Sequence, residues 1–145
     1  MTRQELRSGL LDAYERQMGL CDRLEEVADS LPSRLDRQQC LHLARMIGPL
    51  LKQAHAAEER ELFPHVTRHH EGGVDLVEQL RLEHVEDECF AEEVQHELMQ
   101  MGQGRTDLAP EATGYMLRGF FEGIRRHVRR ERELLAEMLR TRQTG

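Results

Sequence analysis

The stretch His55-Ala-Ala-Glu-Glu-Arg-Glu-Leu-Phe63 returns 72 residues later as His127-Val-Arg-Arg-Glu-Arg-Glu-Leu-Leu135. Both read H-x-x-x-E-R-E-L, and both lie in segments with a helical spacing of apolar residues. A His–acid pair at a spacing of four means little alone. With 8 His and 27 acids in 145 residues, about one or two such pairs arise by chance. Three occur: His55–Glu59, His84–Glu88 and His127–Glu131. The informative feature is that two of them share one eight-residue pattern at equivalent places in the chain.

The correspondence extends outward. Leu10-Leu11-Asp12-Ala13-Tyr14 lies against Leu80-Arg81-Leu82-Glu83-His84 at an offset of 70. The chain therefore reads as two helix pairs related by pseudo-symmetry. Breakers separate four segments: Leu31-Pro32-Ser33, Glu71-Gly72-Gly73, and the stretch from Gly102-Gln103-Gly104 to Pro110. The spacing predicts helices over about 3–30, 35–70, 74–101 and 109–142. Inward stripes run through Leu10, Tyr14, Gln17, Cys21 and Leu24; Ile47, Leu51, His55, Glu59 and Leu62; Leu80, His84, Glu88, Ala91 and Leu98; and Phe120, Ile124, His127, Glu131 and Leu134. Gly48-Pro49 predicts a kink or a late start in the second helix, and Pro64 a loosening of its far end. The expected fold is all-α, a single domain over 1–145 forming an antiparallel up-down four-helix bundle.

Composition agrees. Hydrophobic residues make up 39%, charged residues 32% and aromatics 4%, with no Trp, which favours a helical globular chain over a sheet or a disordered one. The net charge of −7 argues against nucleic-acid binding. No apolar run reaches the ~20 residues of a membrane span, and the charged N-terminal stretch has no secretory signal character. Cys21, Cys40 and Cys89 have no paired spacing; they read as reduced thiols of a cytoplasmic protein. Residues 73–104 are strongly acidic and residues 105–145 are basic, so neighbouring helices of opposite sign would align. The arginines from Arg125 to Arg132 read as a solvated face.

Inward-facing imidazoles and carboxylates need compensation, because a buried unpaired carboxylate costs several kcal/mol. Residues four apart lie about one turn along one face, so a single helix can offer both groups to one ion. Facing helices that do so build a di-metal carboxylate site. Imidazole with carboxylate suits iron, manganese or zinc. The competing reading rotates these groups outward into surface ion pairs.

Taken together, His55-x-x-x-Glu59 followed by Leu62-Phe63-Pro64, Glu83-His84 in the third helix and His127-x-x-x-Glu131 in the fourth resemble the hemerythrin-like family, the HHE cation-binding domains. The match in order covers nearly the whole chain. The resemblance implies a bundle around a non-haem, carboxylate-bridged di-iron centre, two Fe ions per chain, that binds oxygen or, in some members, nitric oxide or peroxide. It implies that Glu59 and Glu131 bridge the irons, that His84 and His127 serve one iron, and that His55 serves the other with a ligand from the first helix.

Two positions depart from the family pattern. Its usual first-helix His is replaced in register by Tyr14, which can be a phenolate ligand, a hydrogen-bond donor behind the ligands, or a core aromatic. A second His one turn along the third helix is replaced by Glu88. More anionic ligands favour ferric iron and disfavour reversible oxygen carriage. Glu58, three residues after His55, is the alternative to Glu59; the repeat favours Glu59, because Glu58 corresponds to Arg130. His65, His69 and His70 read as cations suited to a helix C-terminus, and His42 and His96 fall off the inward stripes.

The leading functional expectation is a cytoplasmic di-iron protein that binds or senses oxygen, nitric oxide or peroxide. The alternatives are an enzyme turning over peroxide or nitric oxide at the same centre, and a metal-free helical interaction protein. The sequence contains no nucleophile elbow, phosphate-cradling glycine loop or zinc-type cysteine pair. It does not specify an oligomeric state.

Overall fold

The computed structural model describes residues 3–144, with the backbone alone for residues 3, 4, 6, 7 and 141–144. Four long helices and one short helix account for the described fold: α1 Arg3–Ser30, α2 Arg37–Glu61, α3 Phe63–His69, α4 Gly73–Gly102 and α5 Pro110–Thr144. α1 packs on α2 and α5, and α4 packs on the same two helices. α1 therefore faces α4 across the core, and α2 faces α5. α3 closes one end against α4, α2 and α5. This is the expected up-down bundle.

Local chemistry sets the helix ends. The carboxylate of Asp36 accepts from the Gln39 backbone N–H at 3.2 Å and starts α2. There is no late start, and α2 continues through Pro49. The break comes at Leu62 instead. Pro64 has no N–H to continue the ladder, so the expected 35–70 helix divides into α2 and α3. Leu62 still donates to the Glu58 carbonyl at 2.8 Å and accepts from His65 and Val66 at 3.1 Å. The α3–α4 turn uses Gly72 at φ 70°, a left-handed conformation natural to glycine. Gly73 follows because a Cβ there would collide with the Val66 carbonyl. That close approach holds α3 down on the bundle end.

The buried apolar side chains form one continuous core, including Leu10, Tyr14 and Leu24 of α1, Leu43, Ile47 and Leu51 of α2, Leu80, Val94 and Leu98 of α4, and Phe120, Phe121, Ile124 and Val128 of α5. Each fully buried Leu or Phe contributes about 1.5–3 kcal/mol of transfer free energy. The arginines of α5 reach mainly to α1: Arg118 to Asp29 at 2.8 Å, and Arg125 to Asp22 and Glu25 at 2.8 and 3.0 Å. Arg130 bonds the acidic α4, through Glu83 at 3.3 Å. The acid–base complementarity is thus satisfied mostly on the α1 side. None of the described helices is long and apolar enough to cross a membrane.

Candidate metal centre

Inside this hydrocarbon core lies a polar cluster drawn from all four long helices. α2 supplies His55 and Glu58, α4 supplies His84, and α5 supplies Glu131, each at most 4% exposed. α1 supplies Tyr14 and Gln17, at 0% and 2%. Nε2 of His84 is 2.9 Å from Oε2 of Glu58 and 3.3 Å from Oε1 of Glu131. The two carboxylates also contact one another. The Gln17 amide donates to Oε1 of Glu58 at 2.8 Å and fixes that carboxylate. The His55 ring lies on the His84 ring with centroids 3.8 Å apart, and Phe63 lies 5.3 Å from His84. Potential ligand atoms of His55, Glu58 and His84 all fall within 4.8 Å of one another.

The structure places Glu58 in the centre and leaves Glu59 at its edge. The Glu59 side chain is 34% exposed and reaches Arg81 at 3.5 Å; its other oxygen is 4.0 Å from Nδ1 of His84. The reason is rotational register. The buried face of α2 passes through Leu51, His55, Glu58 and Leu62, while that of α5 passes through Ile124, Val128, Glu131 and Leu135. These positions are 73 residues apart, one more than the textual repeat. Glu58 is therefore the packing counterpart of Glu131, and Val128 is the counterpart of His55.

The same one-residue slip moves His127 off the axis. Its side chain is 27% exposed and turns toward α4, where Nδ1 meets Asp87 at 2.7 Å and Nε2 lies 3.9 Å from Glu83. Glu88 is also at the edge. It is 30% exposed, and its carboxylate accepts from Nδ1 of His55 at 2.9 Å. Gln17 and Asp87 were not expected as site residues. Gln17 carried a readable signal, a polar side chain on the otherwise apolar α1 stripe, three residues from Tyr14 as Glu58 is from His55. Asp87 had no such signal.

Electrostatics follow from burial. Burial pushes Glu131 up to about 8, and the neighbouring Glu58 charge adds to it. Burial alone would depress His84, but hydrogen bonds to Glu131 and Glu58 outweigh it and push it up to about 10. Burial and the His84 charge hold His55 below the usual imidazole range. His127 is raised by its bond to Asp87, and burial raises Tyr14 well above the usual phenol range. Without a cation, protons on Glu131 and His84 would neutralise the cluster.

Several buried polar atoms have no hydrogen-bond partner, among them Tyr14 Oη, Glu58 Oε2 and His84 Nδ1. Glu58 Oε2 lies 2.9 Å from His84 Nε2, the nitrogen that also meets Glu131 at 3.3 Å, so one nitrogen faces two carboxylates. Such orphans normally cost about 1–3 kcal/mol each. Grouped around two imidazoles and two carboxylates, they offer donor types that fit iron, manganese or zinc. A hollow of 610 Å³ lined by Glu92, His96, Leu108 and Met116 lies elsewhere, between the end of α4 and the start of α5.

Comparison with known proteins is consistent with this geometry. The profile of the Hemerythrin HHE cation binding domain matches residues 11–139. No curated protein and no solved structure matches the chain.

Proposed function

Because the chain belongs to the hemerythrin HHE cation-binding family, we propose that its buried cluster holds a pair of iron ions and binds or senses oxygen, nitric oxide or peroxide. The supporting observation is the excess of unneutralised donors in the core, contributed by all four long helices. Iron bound there supplies one-electron chemistry and an open coordination position for a small oxidant.

The residues have distinct roles in this reading. Glu58, Glu131, His84 and the stacked His55 would hold the metal pair. Gln17 keeps Glu58 aimed inward by donating to Oε1. Glu88 accepts from Nδ1 of His55, which directs the lone pair of the other nitrogen inward. Asp87 holds His127 at the edge of the centre through Nδ1. Phe63, stacked on His84, keeps water from that imidazole face. Tyr14 points an unpaired hydroxyl at the cluster and is the α1 ligand, in the place where the family usually carries an imidazole. The anionic Tyr14 and Glu88 favour the oxidised metal, so sensing or turnover of an oxidant is favoured over reversible carriage. Manganese or zinc satisfies the same donor types. A cytoplasmic location agrees with three free cysteines, Cys21, Cys40 and Cys89.

The test is iron quantitation on protein from iron-supplemented cells, with absorption spectra before and after dithionite. About two irons per chain and a dithionite-sensitive charge-transfer band are expected. Protein that folds fully while holding no iron, manganese or zinc refutes the metal reading and leaves a helical interaction module. Steady-state consumption of peroxide or nitric oxide separates an enzyme from a sensor.

A further inference from the structure

The two sides of the bundle treat their charges differently. On the α1–α5 side, acids and bases meet within the chain, as Arg118 meets Asp29 and Arg125 meets Asp22 and Glu25. On the α2–α4 side they stay apart. Arg45 and Lys52 of α2 are exposed, as are Glu78 and Glu92 of α4, and among the described residues none of the four forms an ion pair. Lys52, Glu88 and Glu92 line one crevice of 80 Å³ where the two helices adjoin, and Arg45 lies about two turns before Lys52 on the same line of α2.

Apolar side chains lie among these charges. Val74, Leu82 and Val85 are each 58% exposed, and Cys89 is exposed as well. Val85 precedes Glu88 and Glu92 at helical spacing, so it stands on the α2 side of α4, with Leu82 and Cys89 one step outward. Val74 falls on the same line as Val85. Single exposed apolar residues are ordinary, whereas three large ones and a thiol along one helix make a face.

We propose that a second copy of the chain covers this face in a two-fold dimer. An axis parallel to the helices lays α2 of each copy on α4 of the other, so base meets acid twice and both apolar stripes are buried. An axis across the helices would instead set α4 on α4 and oppose acid to acid. The parallel axis keeps every residue at its own level along the bundle. Gly48 is level with Gln95, and His55 with Glu88, so Lys52 of one copy meets Glu92 of the other. α2 has 25 residues and is about 37 Å long. A face of that length and two helices wide supplies the roughly 800 Å² per copy of a stable interface. Glu88 lies on it too, so the second copy covers the outer edge of the Glu88–His55 hydrogen bond.

Sedimentation equilibrium of the full-length chain tests this, with helicity checked by circular dichroism. Wild type is expected at twice 16.9 kDa at micromolar concentration, dissociating as salt rises. Val85→Asp, at an exposed site that leaves the fold intact, is expected to weaken the dimer about 100-fold or more. Lys52→Glu is expected to weaken it about 10-fold, and Lys52→Glu/Glu92→Lys to restore it. Lys52 is the chain's only lysine, so a carbodiimide is expected to join it to Glu92 of the second copy and give a doubled chain. Wild type that remains monomeric at ten times the concentration where the dimer is expected overturns the proposal and leaves the face to a different protein. A dimer that Val85→Asp and Lys52→Glu both leave unchanged also overturns it. The metal centre uses none of the substituted residues, so the outcome is independent of the iron reading.

Discussion

The imidazoles of His55 and His84 lie face to face, 3.8 Å apart and 5° from parallel, and their affinities for protons are driven in opposite directions. Two stacked imidazolium ions would repel, and the carboxylates of Glu58 and Glu131 both address His84 Nε2. His84 therefore keeps its proton and His55 gives its proton up. A metal must displace the proton on His84, and with it the one on Glu131, which burial holds on up to about pH 8. Metal binding near pH 7 is expected to release about two protons per chain, and a third where the metal ionises Tyr14, with affinity rising from pH 6 to pH 9. Metal addition to weakly buffered protein with an indicator dye measures this directly. Binding with no proton release would mean that the two groups are already ionised.

The same protons make the metal-free bundle sensitive to alkali. His84 and Glu131 both have folded values above their unfolded ones, from 6.5 to about 10 and from 4.5 to about 8. Such groups contribute stability that is complete below the unfolded value and disappears as pH rises through the folded one. Between pH 7 and 9 the native state thus loses stabilising protons that the unfolded chain does not hold. His127, also raised, acts in the same direction. The melting temperature of metal-free protein is expected to fall by about 5 °C or more across that interval, and metal loading should abolish most of the fall. A flat or rising profile for the metal-free protein contradicts the protonated cluster.

Much of this was legible in the chain. α1, α4 and α5 begin and end within about two residues of their expected limits, because Pro32, the Gly72-Gly73 pair and Pro110 are strong local punctuation. The bundle and the inward positions of His55, His84, Glu131 and Tyr14 also follow from helical periodicity. The placement of Glu59 and His127 at the edge rather than on the axis has one cause. Textual similarity aligned the halves at 72 residues, whereas the packed faces of α2 and α5 align at 73. One residue rotates a helix by about 100°, enough to move a side chain from centre to edge. Asp87 and Glu83 were out of reach because their partnership with His127 depends on how α4 and α5 rotate against each other.

That one-residue difference can be tested. Glu58→Gln removes a buried carboxylate from the centre and is expected to weaken metal binding about 100-fold or more. Glu59→Gln, at a 34% exposed side chain paired with Arg81, should change affinity only a few-fold. Without metal Glu58→Gln takes the ionised partner from the protonated His84 and should destabilise the apo bundle by about 3 kcal/mol, whereas Glu59→Gln should change it little. Competition with a chelator gives the affinities, and urea unfolding gives the stabilities. A stronger loss of binding in Glu59→Gln would restore the 72-residue register.

Tyr14 separates a ligand from a core aromatic. Its hydroxyl is buried with no hydrogen-bond partner, and Arg132 sits over the ring at 5.8 Å. An orphaned hydroxyl in a dry core costs about 1–3 kcal/mol, so Tyr14→Phe should stabilise the metal-free protein by about 1 kcal/mol. In the iron-loaded ferric protein the phenol would be ionised by the metal, despite the burial that otherwise holds its proton on. The phenolate absorption band in the visible should then vanish in Tyr14→Phe while the iron content stays above half. A spectrum that Tyr14→Phe leaves unchanged, alongside the gain in apo stability, would assign Tyr14 to packing and leave the α1 side of the centre to Gln17 alone.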